Sequence, residues 1–373
     1  MRDVERTIRS VALWRLRLPL RQPYKLSFGA VEAFDTVLVR IELDGVVGWG
    51  DATVLTGYTE ETIDGAWRLA SELAPHLSEE TIASLWQLTQ PHLATAPFTV
   101  TAFRTACEMA LRHPVLLAGE ERRVPLLKIL NAEDEDALAG EIEDGLAAGY
   151  GTFKIKVGFR LEGDLARVAL IQRLNAGRAR LTIDANQGYT PEDGRAFAER
   201  VPQDDVMFFE QACNKDDWDA AIDVARSASR RQPPLPVMLD EQIYDLDDVE
   251  RAARLGAATF VKLKLMKFGS LDALLAGLDR TRALGLRPVL GNGVATDIGC
   301  WMEACAGHGG LDTAGEMNGF LKPIRPIIAN PLRVEAGRVV VPRGYWPEVD
   351  LAAIETQTVD RASYGSVLRI LVT

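Results

Sequence analysis

Cysteine and histidine are scarce in this chain, with 4 of each in 373 residues. Cys107, Cys213, Cys300 and Cys305 are scattered and form no CxxC pair, so they do not make a disulfide framework. They read as buried free thiols of a reducing compartment. Long apolar runs are also missing. No stretch of about 18 uncharged apolar residues occurs, and no membrane span is expected. Arg2, Asp3, Glu5, Arg6 and Arg9 break up the N-terminal stretch, so no signal-peptide core is expected either. Positive charge is in deficit: Lys and Arg total 42, Asp and Glu 53, for a net charge of −11. That balance argues against sequence-independent nucleic-acid binding, which needs basic residues along a groove. The 47% hydrophobic and 25% charged content excludes a disordered chain. The expectation is a soluble, cytoplasmic protein with a small-molecule partner and no nucleic-acid or membrane partner.

Two textures divide the chain. Residues 11–20 alternate apolar and charged side chains, as a half-buried strand does. Strand-like runs at 36–43 and 46–52 flank Asp44-Gly45, a hairpin signal. Helical patterns follow at roughly 60–77 and 99–117. From about residue 124, short apolar runs recur at 124–130, 152–157, 180–185, 205–210, 235–240, 259–265 and 286–290, with a weaker one at 311–316. Their spacing is that of βα units, and eight of them fit a (β/α)8 barrel. A doubly wound open sheet is the rival, although no GxGxxG follows the first strand of this half.

Polar residues gather where the C-terminal ends of these strands fall, the rim on which barrel active sites are built. Three consecutive strands end in Asp184, Glu210 and Asp240. Converging carboxylates form a hard-oxygen site suited to Mg²⁺, with Mn²⁺ as an alternative ion. The bland alternative is that each caps a helix or joins an ion pair. Lys154 and Lys156 alternate on one strand and so share a face. Lys262 and Lys264 repeat the device on the sixth strand, with Lys267 beyond. Burial and mutual repulsion should lower the proton affinity of such lysines and make them bases near neutral pH. Snorkelling on an exposed edge is the alternative. A cation holding a substrate carboxylate between opposed lysines would permit removal of the α-proton on one face and its return on the other.

These residues resemble the enolase superfamily, and within it the two-lysine, muconate-lactonizing subgroup of the mandelate racemase/muconate lactonizing enzyme family. FKIKVG (153–158), TIDANQGY (182–189), FFEQ (208–211), MLDEQI (238–243) and LKLMKFGS (263–270) carry the resemblance in order and spacing. It implies an α/β fold: a modified TIM barrel at 123–320, an N-terminal α+β capping domain at 1–122, and a C-terminal segment, 321–373, that returns to the cap. It implies Lys156 and Lys264 as the two opposed catalytic bases. It also implies Asp184, Glu210 and Asp240 as metal ligands, and Lys154, Asn186 and Glu241 as their support. Lys262 departs from the family, which commonly carries an uncharged residue there, and strand seven ends without histidine, which favours the two-lysine subgroup. Dipeptide epimerases of the subgroup present two acidic residues on strand eight, where this chain has Glu316 and Asn318. Glu316 is equally suited to a cationic substrate group or to a barrel lysine. Asn292 is a candidate hydrogen-bonding residue. Tyr24, Phe28 and Tyr58 are candidate contacts from cap loops 21–31 and 53–58. The implied activity is Mg²⁺-dependent α-proton abstraction from a carboxylate, giving racemisation, epimerisation or cycloisomerisation of an amino-acid derivative, dipeptide or related acid. A lyase using the same enolate is the alternative, and a non-catalytic metal-stabilised barrel the third reading. Homo-oligomers are frequent among relatives, so one is expected here.

Overall fold

The computed structural model describes residues 5–26, 29–55, 59–311 and 313–365. The chain opens with three antiparallel strands, β1 (Ile8–Leu26), β2 (Gly29–Leu43) and β3 (Val46–Val54). Asp44 and Gly45 both take positive φ, at 49° and 83°, as a two-residue hairpin of the expected hand requires. Helices α1 (Ile63–Leu73) and α2 (Ile82–Thr89) follow, each started by a threonine whose side chain accepts a backbone N–H. Helix α3 (Pro97–Ala110) is buried along its whole length. The first predicted helix is therefore shorter than its pattern suggests, and the last begins earlier and stops well before residue 117.

The second half repeats βα units. After the short β4 (Arg122–Pro125) come β5 (Lys128–Leu130), α4 (Glu135–Ala147), β6 (Thr152–Lys156), α5 (Leu161–Asn175), β7 (Arg180–Asp184) and α6 (Pro191–Arg200). Then come β8 (Val206–Glu210), α7 (Trp218–Ser229), β9 (Val237–Leu239), α8 (Leu246–Leu255) and β10 (Phe260–Leu263). The one-turn α9 (Leu265–Phe268), α10 (Leu271–Ala283), β11 (Arg287–Leu290) and α11 (Asp297–Gly307) complete this region. β5 to β11 form one parallel sheet in sequence order, as right-handed βα units give.

Two of the eight expected strands differ from the expectation. The run 124–130 splits, because its first part pairs outside the barrel and only β5 joins it. Among its described residues the weak run 311–316 holds no strand, only an isolated bridge between Gly315 and Leu126. Its Glu316 N–H donates to Leu290 O at 3.1 Å, and Gly315 exchanges bonds with Pro125 O and Leu127 N at 2.9 and 3.0 Å. Single hydrogen bonds thus close the ring on both sides of this segment.

The C-terminal part first adds β12 (Arg333–Glu335) and β13 (Arg338–Val341), which pair with each other, β13 also pairing with β4. It then adds α12 (Leu351–Thr356) and β14 (Thr358–Gly365). β14 runs antiparallel to β1, so the cap sheet has the order β14-β1-β2-β3. The barrel with a cap completed by the C-terminal segment is the fold expected. Among the described residues no helix is long and apolar enough to cross a membrane.

Helix α3 joins the two halves. On its cap side, a Cβ on Gly48 would lie 1.9 Å from Ala106 O, and one on Gly50 2.1 Å from Ala102 O, so only glycine permits the approach. On its barrel side, Thr101 donates to Met266 O at 3.0 Å, and Glu108 accepts the N–H of Leu271 at 2.8 Å. The cap is thereby bonded to the segment that follows β10. Gly50→Ala must push helix and sheet apart and is expected to cost about 2–3 kcal/mol. Thermal unfolding followed by circular dichroism checks this, and an unchanged midpoint would contradict the close approach.

Candidate active site

The strand ends bring the predicted residues together. In register, Lys156 pairs with Asp184, and Asp184 with Glu210. Asp240 follows β9 directly. Lys154 points into the barrel and reaches Asp184 at 2.9 Å, Glu210 at 2.8 Å and Glu316 at 3.1 Å. Lys156, nearer the rim, reaches Asp184 at 2.7 Å and donates to Asn186 Oδ1 at 2.5 Å. From the other side, Lys264 lies 2.7 Å from Asp240. β7, β8 and β9 separate β6 from β10, so the two lysine strands flank the row of carboxylates.

Capping does not explain those carboxylates. The helices after them are capped by Thr190, Asp217 and Asp245 instead. Ion pairing does engage them, and every partner is a lysine. Asp184, Glu210 and Asp240 are almost wholly buried, where an uncompensated charge would be costly. Two of their oxygens, Glu210 Oε2 and Asp240 Oδ1, lie near a lysine yet make no well-directed hydrogen bond. Adjacent, buried and purely carboxylate, this donor set fits a hard divalent cation such as Mg²⁺. A second acidic group, Glu108 with His113 and Asp272, lies at the seam between cap and barrel. Its Glu108 is spent on the first backbone N–H groups of α10.

Electrostatics distinguish the lysines. Burial is the largest influence on Lys154 and Lys156 and lowers both, but the surrounding groups together overcome it, Asp184 foremost at each, joined by Glu210 and Glu316 at Lys154 and by Tyr24 and Glu316 at Lys156, so both are raised. The expected fall in proton affinity therefore fails on β6, because carboxylates reach across from β7 and β8. It holds beyond β10: burial, then the neighbouring Lys267, pulls Lys264 well below the usual lysine range. Among the acids, burial and then Asp184 push Glu210 up to about 7. Burial and then Asp240 push Glu241 up to about 8. Asp184 and Glu316 move the other way, since their lysines overcome burial.

The supporting residues are tied in closely. Asn186 accepts from Lys156 and donates to Glu241 at 3.1 Å, which fixes which way its amide faces. Its φ of 40° and that of Gln211, 39°, place left-handed residues just after β7 and β8. Gln211, which the sequence reading passed over, accepts from Asp240 N at 3.0 Å and donates to Gln242 and to Cys213 O. It spans the two strand ends that present Glu210 and Asp240. Lys267 donates to Asp240 O and Ile243 O at 2.9 and 3.0 Å, holding the same turn from below.

A cavity of about 850 Å³ opens beside the row, lined by Tyr24, Lys156, Asn186, Phe159, Arg167 and Lys322 among others. Tyr24 lines this cavity, but from strand β1, where it pairs with Val31, and not from the loop expected at 21–31; Phe28 and Tyr58 lie outside the described residues. Asn292 faces a separate small void with Asp51 and Glu303, and its Oδ1 accepts from Val294 N at 2.8 Å. Glu316 is held by Lys154 and Lys262. Asn318 accepts from Lys322 at 3.0 Å. No sequence pattern marks Lys322, a single lysine in FLKPI.

Comparison with known proteins agrees with this geometry. The sequence profile for the mandelate racemase / muconate lactonizing enzyme N-terminal domain matches residues 8–130, and that for the enolase C-terminal domain-like family matches 137–345. An aromatic dipeptide epimerase of Herpetosiphon aurantiacus is 30% identical over 82% of this chain and 88% of its own. An N-succinyl-L-Arg/Lys racemase of Bacillus cereus is 25% identical over 78% and 81%. Among solved structures, muconate lactonizing enzyme from Pseudomonas fluorescens superposes with a TM-score of 0.84 at 22% identity, covering 95% of this chain and all of that one. The dipeptide epimerase of Cytophaga hutchinsonii, solved with Mg and D-Ala-L-Val, superposes with a TM-score of 0.84 at 18% identity, covering 96% and 99%.

Lys262 offers a test of the buried network. Its ammonium pairs with Glu210 at 3.1 Å and with Glu316. Lys262→Met strips a partner from both acids and is expected to cost about 3–5 kcal/mol, as breaking a buried pair does. Adding Glu316→Gln should recover part of that loss in urea unfolding. Equal or greater loss in the double variant would show that the two residues do not compensate each other.

Proposed function

The chain belongs to the mandelate racemase/muconate lactonizing enzyme family and is an isomerase of the enolase superfamily, and from that premise we propose that its Lys156 and Lys264 move the α-proton of a carboxylate substrate. The observation that carries this reading is the placement of these two lysines on opposite sides of Asp184, Glu210 and Asp240. A divalent cation, Mg²⁺ by the hardness of its ligands, would be held by those three carboxylates and would supply positive charge to the substrate carboxylate as the α-proton leaves.

The chain's own residues do the rest. A substrate in the cavity beside Lys156 presents its α-carbon between the two amines. One lysine takes the proton from one face and the other returns a proton to the opposite face, which inverts the centre. With a double bond in place of the α-hydrogen, the same pair supports ring closure or opening. Lys154 favours the charged form of Asp184 and holds Asp184 and Glu210 in place, while Asn186 and Glu241 hold Lys156 in position. The burial of four free thiols, Cys107, Cys213, Cys300 and Cys305, supports a reducing compartment such as the cytoplasm.

Proton exchange in D₂O tests this reading. With Mg²⁺ and a panel of N-acyl amino acids, dipeptides and related acids, the wild type should incorporate deuterium at Cα without change in substrate skeleton. Lys156→Ala and Lys264→Ala should each slow the exchange by about 10²–10⁴-fold, the range of a general acid or base. Wild-type exchange in both variants would overturn the assignment. Chelation should abolish exchange and Mg²⁺ restore it, and full activity after exhaustive chelation would remove the cation from the account.

A further inference from the structure

The cavity beside Lys156 carries a second cationic corner that the proton transfer does not use. Lys322 follows the segment that closes the barrel, and its ammonium is half-buried on the cavity wall. It donates to Gly293 O at 2.5 Å and to Asn318 Oδ1 at 3.0 Å, and lies 4.8 Å from the centre of the Tyr24 ring. All three are neutral. Among the described residues no carboxylate lies within ion-pair distance of Lys322, and burial lowers it to about 8, with the more distant Glu316 offsetting this only in part.

Three polar groups converge at this corner. A Cβ built on Gly293 would stand 3.1 Å from Lys322 Nζ, 3.2 Å from Tyr24 Oη and 3.6 Å from Asn318 Oδ1. Gly293, with no side chain, leaves that point free. The groups of the closing segment that could have made the corner attractive to a cation are engaged already. Glu316 is locked between Lys154 and Lys262, and Asn318 already accepts from Lys322. On the same wall Arg167 donates to the carbonyls of Ala132 and Leu130 and has Glu141, Glu133 and Asp164 nearby to offset its charge, so the unpaired ammonium of the cavity is that of Lys322. A free ammonium on the substrate would meet positive charge here, and a carboxylate would meet an ammonium and a phenol.

We propose that Lys322, with the hydroxyl of Tyr24, binds a second carboxylate of the substrate, so that the enzyme acts on dicarboxylates in preference to acids with a neutral or cationic far end. A half-buried ammonium lacking an ionic partner gains a charge-assisted hydrogen bond from such a group, the strong kind. Two kinds of molecule share this chemistry: an amino acid acylated by an arm that ends in a carboxylate, and an unsaturated or lactone diacid. The inference rests on the isomerase reading for its activity readout and is independent of it for binding.

Calorimetry in the presence of Mg²⁺ compares an N-succinyl amino acid, the N-acetyl derivative of the same amino acid, an alanyl dipeptide of it and cis,cis-muconate. Either diacid should bind at least about tenfold more tightly than both the N-acetyl acid and the dipeptide, and which diacid does so identifies the source. Lys322→Met should remove that margin while leaving the N-acetyl acid unchanged. Lys322→Arg should retain most of it, and Tyr24→Phe should lose a smaller part. In deuterium exchange with the preferred diacid, Lys322→Met should raise KM and leave kcat near wild type. Circular dichroism shows whether each variant is folded, and if Lys322→Met is not, the wild-type ranking and Lys322→Arg still decide. Equal binding of mono- and diacids, preference for the dipeptide, or equal losses of all ligands in Lys322→Met would each overturn the proposal. If no acid exchanges its α-proton but the diacid margin depends on Lys322, the proton-transfer reading fails and the subsite stands.

Discussion

Lys154 is fully enclosed and touches three carboxylates, Asp184, Glu210 and Glu316, and the arrangement of the barrel mouth depends on that one ammonium. A lone charge at this depth would be prohibitive, and so would any of its acids without it. The solution is collective. Lys156 shares Asp184, Lys262 shares Glu210 and Glu316, and Lys264 and Lys267 share Asp240. No member can be removed without exposing another. This is why strands from β6 to β10 must keep their order and register, since a one-residue slip in any of them would turn its charge into the apolar layer between barrel and helices.

The same constraint gives the site its reactivity. Carboxylates concentrated for lysines are also concentrated for a divalent cation, and lysines held by carboxylates are already pointed at whatever the cation would hold. Lys156 and Lys264 end up in different electrostatic settings, although both are buried lysines at strand ends. The first faces Asp184, while the second is depressed by burial and by Lys267. The cap contributes position rather than charge. Because α3 is bonded to the turn after β10, the sheet that carries Tyr24 is referenced to the same turn that carries Lys264.

The legible parts of the site were those set by strand period and repeat length. Asp184, Glu210 and Asp240 could be read as neighbours because each ends a run in a βα repeat, and the lysine pairs could be read as sharing a face because they stand two residues apart. The eighth barrel position was not legible, since residues 313–316 are held by isolated hydrogen bonds that leave no apolar alternation. The charge state of Lys154 and Lys156 was misjudged for a related reason. Their own strand shows two like charges side by side, and the acids that reverse the effect come from β7, β8 and the closing segment. Gln211 was missed because a glutamine after an acidic residue carries no pattern, and its value appears only where its two ends meet Asp240 and Gln242.

Lys262 links this packing to specificity. Two residues before Lys264 on an extended chain, it must face the same interior, one layer deeper. At that depth it needs an acid of its own, and Glu210 is already bound to Lys154. Glu316 supplies the missing charge from the segment that closes the ring. That choice commits Glu316 to the fold and withdraws it from the cavity. On the cavity wall, which also carries Arg167 and Glu133, Lys322 is then left among neutral partners. An extra lysine buried below the reacting centre thus takes the acid of the closing segment and leaves Lys322 without it, acting on the cavity without lining it.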